Sequence, residues 1–566
     1  MADRIQSYKL ICSGGLNSNE HHLDLAENKS GAATRLLNYE PSLFGGYRRI
    51  EGFTDYDTNF TTVEEGSAGN ETSEGAILGL SLYKNEALGN PYIIAARKDV
   101  GTATYSFMYH TPAVGWRKWN TVNTSSTHPT RNMSNLAGDT VTKIRHAQIN
   151  VSDGSSNKSI IVFVDGVNKA IVFDGESWYE IDPAGTGGTS SAGGPYAIGA
   201  PSIVEFFDSY LFLGGDVTKP AKIAHSDTIL SLDTLLTFTA ASNSDQYDMG
   251  FNVVNFKPFR DAHFIFGENA IKKLEVDPDT NSTNVFKIES VTSNVGCIAR
   301  DSIQDLGGQL IYLSAGGLRQ VSATSRIGDT ELSSISSSIQ GRILEIINNE
   351  DLDTISSIVV RQKNQYRMFF GDNSGTGSGV LAGIAAEGDG REFEFSDLSG
   401  FKMNVATSEF IGKTEYVLHG SFDGRVYRQE KGNTLGGDNI VSIYSTPYLD
   451  FGETETRKII HKINTFVRAE GPFTMNLAVQ YDWGDPNTLT PAEYQQSSAG
   501  APVVFGGRQI TYGGTDIKYG GSSKPVLVTD IQGSGYAARA TYVSVGTDAP
   551  HSLHGIVFEY GQAGRR

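Results

Sequence analysis

Cysteine is scarce in this chain, with Cys12 and Cys297 as the only two among 566 residues. They stand far apart in unlike contexts, which argues against a disulfide framework and against a cysteine-rich metal site. Long apolar runs are missing as well: none approaches the roughly 18–20 residues that cross a bilayer. The first six residues, Met1 to Gln6, also carry no apolar signal region. We therefore expect a chain that folds in the cytoplasm and has no membrane-spanning segment.

Positive charge is also in short supply. Lys and Arg number 46 against 64 Asp and Glu, a formal net charge of −18. Tight sequence-independent binding of nucleic acid depends on cationic groups that neutralise phosphates, so this balance argues against it. Nucleic acid that only passes by is not excluded. Leucine- or alanine-rich helical stretches are scarce, whereas 64 Gly and 25 Tyr suit many tight turns between strands. The composition predicts an all-β fold.

One theme repeats from about residue 75 to residue 430, roughly every 40–50 residues. Short apolar runs are joined by Gly, Asp-Gly or Asn turns. In the clearest unit, Asp165-Gly166 and Asp174-Gly175 separate three such runs. Asp-Gly between apolar runs is a strong hairpin signal. We count six or seven such units and predict an irregular β-propeller, which closes many short sheets radially. A stack of two β-sandwich domains is the alternative.

One helix is predicted within this repeating region. Five isoleucines recur at three- and four-residue spacings, which places them on one helical face: Ile335, Ile339, Ile343, Ile346 and Ile347. We expect this amphipathic helix to pack on the β body.

A glycine-rich stretch, Gly432 to Asp438, is the predicted boundary before a different pattern. Seven strand-like runs follow it, which suits an antiparallel β-sandwich. We therefore divide the chain into an N-terminal arm and docking segment (1–70), a β-propeller-like domain (71–435) and a C-terminal β-sandwich domain (436–566). The seven runs are Ile440 to Phe451, Ile459 to Val467, Phe473 to Trp483, Gln509 to Tyr512, Pro525 to Val528, Ala538 to Val545 and Ile556 to Tyr560.

The most distinctive phrase is residues 36–53, LLNYEPSLFGGYRRIEGF. Pro41 rules out a helix through its middle, Gly45-Gly46 permits a tight turn, and Tyr47 to Phe53 predicts a strand. The phrase resembles the opening of the tail nozzle proteins (tail tubular protein B) of short-tailed bacteriophages. Residues 445–452 (STPYLDFG) and 555–560 (GIVFEY) are similar to the C-terminal part of the same family.

This resemblance implies a structural virion protein of the phage tail, assembled in the host cytoplasm. Its subunits would form a homo-oligomeric ring, expected to be hexameric, below the portal and a tail adaptor protein, with tail fibres or spikes as further partners. Double-stranded DNA would pass through the ring without specific binding, and an acidic lumen would favour sliding. Tyr and Arg are common at interfaces, so Tyr39, Tyr47, Arg48 and Arg49 become candidate subunit-interface residues. The alternative is an intrachain salt bridge or a stack on Tyr39.

No catalytic, metal or cofactor-binding residues are predicted. The chain has no Gly-x-Ser-x-Gly elbow, Walker loop or GxGxxG helix opening. Asp55 to Asn59 begins like a calcium loop, but Phe60 replaces the required glycine. We expect no enzyme. The alternative function is a propeller that binds or degrades carbohydrate, with one pocket at the blade axis lined by Trp, Tyr and carboxylates. Trp116, Trp119 and Trp178 are expected in blade cores instead.

Overall fold

A computed structural model defines the fold over most of the chain. The residues that it describes are 5–42, 44–57, 62–64, 70–71, 75–84, 92–99, 103–111, 115–119, 133, 136–152, 157–181, 198–236, 238, 244–277, 284–323, 330–371, 377–384, 393–485, 491–498 and 525–565.

Seven groups of antiparallel strands follow one another along the described part of the chain and form the blades of a β-propeller. Blades 6 and 7 belong to one continuous hydrogen-bonded sheet that also includes strands of the C-terminal unit. Blades 1 to 6 are chain-ordered meanders, and blade 7 takes its outermost strand, Phe53–Asp55, from near the N terminus. Blade 1 comprises Ile77–Tyr83, Tyr92–Lys98, Thr104–Thr111 and Gly115–Lys118, blade 2 comprises Arg145–Ser152, Asn157–Val164, Ala170–Phe173 and Trp178–Ile181, and blade 3 comprises Ile203–Phe207, Tyr210–Gly214, Lys222–His225 and Asp245–Asp248. Blade 4 comprises Val253–Phe259, Ala262–Gly267, Ile271–Val276 and Phe286–Thr292, and blade 5 comprises Gln304–Leu306, Gln309–Ser314, Gly317–Ala323 and Thr330–Ser334. Blade 6 comprises Ser356–Val360, Gln365–Phe370, Ser378–Ile384 and Phe393–Ser399, and blade 7 comprises Met403–Ile411, Thr414–Ser421 and Val426–Gln429. Blade 1 is extended by Thr62–Glu64, Asn70–Glu71 and Leu136–Ala137.

The blades close into a ring around an axis lined by their first strands. The first strand of each blade contacts that of the next, with a 3₁₀ turn, Arg300–Ser302, between blades 4 and 5, and blade 7 contacts blade 1. Apolar clusters fill the spaces between neighbouring blades; Ile77 of blade 1 and Leu418 of blade 7, for example, share one. Because each sheet buries both faces against its neighbours, the blade strands are apolar on both sides.

The C-terminal unit is a β-sandwich whose two sheets share one core. Its core continues onto blades 5 and 6, so the sandwich sits on that side of the ring. One sheet contains Tyr39–Pro41, Tyr47–Arg49, His551–Arg565, Thr456–Ala469 and Val526–Asp530, with Gln6–Ile11 and Ser534–Gly535 at its margins; the other contains Asp438–Ser445, Ala538–Gly546, Phe473–Tyr481 and Tyr494–Ser498. The predicted run Gln509 to Tyr512 lies outside the described residues, and the strand Tyr494–Ser498 was not predicted.

The predicted amphipathic helix is present but shorter at its start. It spans Gln340–Asn349 after a 3₁₀ turn at Ser337–Ile339, because the residues before them form the last strand of blade 5. Ile339, Ile343 and Ile346 are buried in the core shared with the sandwich. Two further helices, His22–Asn28 and Leu232–Leu235, and three 3₁₀ turns, Leu352–Thr354, Arg361–Lys363 and Asp482–Gly484, complete the helical elements of the described ranges. No helix among these residues is long and apolar enough to cross a membrane.

The N-terminal residues are distributed over both units. Gln6–Ile11 pairs with the last strand of the chain, and Phe53–Asp55 pairs with blade 7. Between them, Arg35–Leu37 bridges blade 6 and the sandwich strand Asp438–Ser445, which in turn pairs with Thr434–Leu435. The segment predicted as an arm is therefore woven into the propeller and the sandwich wherever it is described.

Candidate functional site

The four candidate interface residues lie in the hairpin Tyr39–Arg49. Its turn requires Gly46, which has φ +80°, and a Cβ there would stand 2.2 Å from the carbonyl oxygen of Leu553. Tyr39 and Tyr47 are fully buried. The Tyr47 hydroxyl donates to the Gly31 carbonyl (3.1 Å) and accepts from the Gly15 amide (2.9 Å). Both tyrosines are thus core residues of the sandwich.

Arg48 makes three ion pairs within the chain. Its guanidinium donates to Glu40 at 2.8 Å, to Glu51 at 2.8 Å and to Glu470 at 2.6 Å. The pKa of Arg48 is pushed further above its ordinary value, because these carboxylates outweigh the effect of burial. The intrachain salt bridge that the sequence left open as an alternative is therefore present.

Arg49 is fully buried and pins a loop of the sandwich. It donates to the backbone carbonyls of Asp548, Gly546 and Ile440. Desolvation lowers its pKa, and Tyr39 and Asp548 oppose that shift. Tyr39, Tyr47 and Arg49 leave no surface for a neighbouring subunit. The Arg48 side chain, 14% exposed, is engaged by three carboxylates of its own chain, so the structure gives all four predicted interface residues intrachain contacts.

A buried ion cluster joins this hairpin to the propeller. Glu40, 1% exposed, lies 2.7 Å from Lys363 Nζ and 3.2 Å from an Arg367 nitrogen, both in blade 6. The same two cations contact Glu430, which follows the last strand of blade 7. Gln365 donates to Glu40 at 3.0 Å. The cluster thus links the sandwich edge to two blades.

Electrostatics keep both carboxylates of this cluster ionised. Burial alone would raise the pKa of Glu40, but Lys363, Arg48 and Arg367 outweigh it and hold the pKa below its ordinary value. Burial would also raise the pKa of Glu430, but Arg367 and Lys363 outweigh it and lower the pKa to about 2. Such a cluster holds a specific geometry rather than performing chemistry, because every charge already has a partner.

The second candidate site is the cavity on the propeller axis. It has a volume of about 180 Å³ and is lined from all seven first strands. This is below the roughly 300–1,000 Å³ of typical small-molecule pockets. Its charged lining residues are Lys143, Arg145, Glu205, Lys257 and Asp301, with His146 beside them.

Asp301 is the centre of the charge network in this cavity. It accepts two hydrogen bonds from Arg145, at 2.6 and 2.7 Å, and lies 3.5 Å from Lys143 Nζ. Burial would raise the pKa of Asp301, but Arg145 and Lys143 hold it well below its usual range. Lys143 is 3% exposed, and its Nζ donates to the carbonyls of Thr354 and Ile355 and to Ser356 Oγ.

The surroundings of the cavity also lower the pKa values of Lys143 and His146. Desolvation lowers the pKa of Lys143 to about 8, against the opposing effect of Asp301. Desolvation also lowers the pKa of His146 to about 4, and Lys257 adds to the shift. His146 is therefore neutral at pH 7, and the cavity carries its charge on lysine, arginine and carboxylate groups.

Aromatic residues take little part in the cavity. Among the lining residues that the structure describes, Phe256 is the one aromatic ring besides His146, and none is a Trp or Tyr. Trp116 and Trp178 are buried in blade clusters and Trp119 packs against one, as predicted from the sequence. Trp483 is 46% exposed on the sandwich and contacts Tyr448 at 4.8 Å between ring centroids. Within the described ranges, no group of three or more potential ligands could hold a metal ion.

Sequence reasoning missed both charge clusters. Glu40 and its partners Lys363 and Arg367 are more than 300 residues apart, and Arg145 is 156 residues from Asp301. Only the fold brings them together, so no local spacing could have pointed to them.

Comparisons with known proteins give no family. No family model and no curated protein matches the chain. Among solved structures, a mutant of Aleuria aurantia lectin in complex with alpha-methyl-L-fucoside is 11% identical with a TM-score of 0.29, covering 61% of this chain and 89% of that one. A mercury derivative of the fucose-specific lectin from Aleuria aurantia is 9% identical with a TM-score of 0.26, over 61% and 89% of the chains. At such TM-scores the likeness says nothing about blade number or ligand.

Proposed function

We propose that this chain is a structural subunit of the tail nozzle of a short-tailed bacteriophage. Six subunits form a ring below the portal and adaptor, and double-stranded DNA leaves the particle through its channel. The protein assembles in the host cytoplasm, stays in the virion tail, carries tail fibres or spikes, and performs no catalysis. The proposal rests on the resemblance of residues 36–53, 445–452 and 555–560 to the nozzle family.

The position of these three segments in the fold is the observation that supports the proposal. They are up to about 500 residues apart in sequence, yet they meet in the sandwich. Phe451 of the second segment contacts Phe558 and Tyr560 of the third, with ring centroids 5.4 and 4.9 Å apart. In the first segment, Tyr47 pairs with Leu553, two residues before the third. The resemblance therefore concerns one contiguous part of the molecule, as expected when two proteins share an architecture.

The charge of the chain suits a passive conduit. A formal net charge of −18 repels phosphates, so a DNA-facing wall rich in carboxylates lowers the barriers to sliding. We expect the lumen of the ring to carry more Asp and Glu than Lys and Arg.

Imaging of the purified protein tests the assembly directly. Mass photometry over a range of concentrations, followed by negative-stain electron microscopy, should reveal closed rings, and mass spectrometry should find the chain in purified phage particles. A protein that stays monomeric throughout and is absent from particles would contradict the proposal. A glycan array on the same preparation tests the alternative function, since specific sugar binding by monomers would favour a lectin.

The conduit mechanism has a separate test. In a mobility-shift assay at 0.15 M salt, binding of double-stranded DNA should be no tighter than about 100 µM, the weak end of non-specific binding. Low-micromolar affinity, or an imaged lumen lined mainly by Arg and Lys, would contradict passive passage while leaving the ring intact.

A further inference from the structure

The axial cavity contains more positive than negative charge. Lys143, Arg145 and Lys257 line it together with only two carboxylates, Asp301 and Glu205. A fourth cation, Arg300, adjoins the lining: its guanidinium donates to Ser202 Oγ at 2.8 Å, and the Ser202 carbonyl accepts a long contact of 3.4 Å from Arg145. Asp353 also acts electrostatically on Lys143 and Arg300, so these four cations and three carboxylates leave one positive charge unbalanced among the residues that the structure describes.

The two carboxylates that line the cavity, Asp301 and Glu205, already form ion pairs with its cations. Asp301 is shared by Arg145 and Lys143, and Glu205 accepts from Lys257 Nζ at 2.5 Å. Arg300, in contrast, makes no ion pair with any residue that the structure describes, although a guanidinium offers five N–H donors. Removing cations from water without compensation is unfavourable, so a cationic excess in this partly open cavity favours the entry of an anion.

Burial and like charge act together on Arg300. Desolvation and the neighbouring charge of Arg145 together lower the pKa of Arg300 to about 10, against the opposing effects of Asp301 and Asp353. A bound anion would relieve both effects, because it supplies negative charge and hydrogen-bond acceptors at the same place.

We propose that the axial cavity binds a small oxyanion beside Lys143, Arg145 and Lys257, which line it, with Arg300 at its margin as a further donor. The planar guanidinium fork matches the oxygen spacing of phosphate and carboxylate groups. Arg145 already directs its fork at Asp301, so Arg300 is the arginine expected to offer this geometry to an anion. A volume of 180 Å³ equals about six water molecules, which admits an ion of phosphate size and excludes an oligosaccharide. The site is independent of the proposed tail function, because it lies within one subunit.

Isothermal titration calorimetry of the full chain with inorganic phosphate, in low-salt buffer free of other oxyanions, tests the proposal. Saturable one-site binding is expected, with sulfate and acetate run in parallel to separate phosphate-like from carboxylate ligands. Arg300→Met should weaken the affinity about tenfold or more, since it removes charged hydrogen bonds. Arg260→Met, which removes the same charge from an exposed turn of blade 4, is the matched control and should bind like the wild type.

A second variant, which removes a negative charge and should strengthen binding, keeps the test decisive if Arg300→Met does not fold. Glu205→Gln removes one carboxylate from the cavity and leaves Lys257, whose side chain is 36% exposed, in contact with solvent. It should tighten phosphate binding several-fold. The proposal would be overturned if no saturable binding is seen up to about 10 mM phosphate. It would also be overturned if chloride binds as well as phosphate, or if Arg260→Met weakens phosphate binding as much as Arg300→Met does.

Discussion

Replacing Glu40 by Gln should lower the free energy of unfolding far more than the same replacement at the nearby, more exposed Glu51. The substitution keeps the shape of the side chain and removes its charge. Arg367, 2% exposed, then loses one of its two carboxylates, and Lys363 loses the carboxylate 2.7 Å from its Nζ. Breaking a buried ion pair by removing one partner costs about 3–5 kcal/mol, and this range applies because Glu40 is itself buried.

Glu51→Gln provides the matched control. Glu51 also lies 2.8 Å from Arg48, but its side chain is 30% exposed. Pairs of this kind contribute about 0.2–1 kcal/mol. The two variants thus remove the same charge from the same arginine at the same distance. They differ in burial and in the two further cations, Lys363 and Arg367, that only Glu40 contacts.

Urea unfolding at fixed ionic strength, followed by tryptophan fluorescence and limited proteolysis, measures both effects. Urea is uncharged and leaves ion pairs unscreened. The deficit of Glu40→Gln should be complete at pH 7. The pKa of Glu40 is lowered in the folded state, so its contribution is present above about pH 4.3 and is lost as pH falls further. Equal midpoints for the two variants at pH 7 would refute the reasoning.

Three further predictions concern single side chains. His263 is buried without a hydrogen-bond partner in the described structure, and burial lowers its pKa to about 3. Because the folded pKa lies below the unfolded one, stability is lost as pH falls below about 6.5; His263→Leu should match the wild type in urea at pH 7 and exceed it by about 2–3 kcal/mol at pH 4.5. Trp483→Phe should remove most acrylamide quenching of fluorescence, since Trp483 is 46% exposed, and undiminished quenching would contradict this placement. Burial raises the pKa of Cys12 to about 12 and of Cys297 to about 11, so Ellman's reagent should react with neither thiol at pH 8 until urea unfolds the chain.

Features with a local cause were predictable from the sequence. The Asp-Gly turns of blade 2 form as predicted, with Gly166 at φ +81° and Gly175 at φ +97°. The Gly45-Gly46 turn and the buried face of the isoleucine helix also follow from residue type and spacing alone. Propensity and period act over a few residues, which is the range a sequence pattern can report.

Features that depend on distant partners were not predictable. Tyr494–Ser498 forms a strand with buried polar residues, Gln496 and Ser498, so its alternation carries no apolar signal. The local sequence around Arg48 predicts an interface residue. Its intrachain ion pair with Glu470, at 2.6 Å, exists only because the fold brings this distant carboxylate next to it. The axial cavity likewise gathers its charges from different blades, over the stretch of chain between Lys143 and Asp301.

The pairing of Gln6–Ile11 with residues 555–560 has a consequence for biosynthesis. At about 5–20 residues per second, a ribosome needs roughly half a minute to two minutes to add the residues that separate Ile11 from Gly555. The first strand emerges at the start of this interval, and its pairing partner emerges at the end. The strand Gln6–Ile11 must therefore remain without this partner, and open to chaperones, throughout the interval, and this sheet of the sandwich can be completed only afterwards.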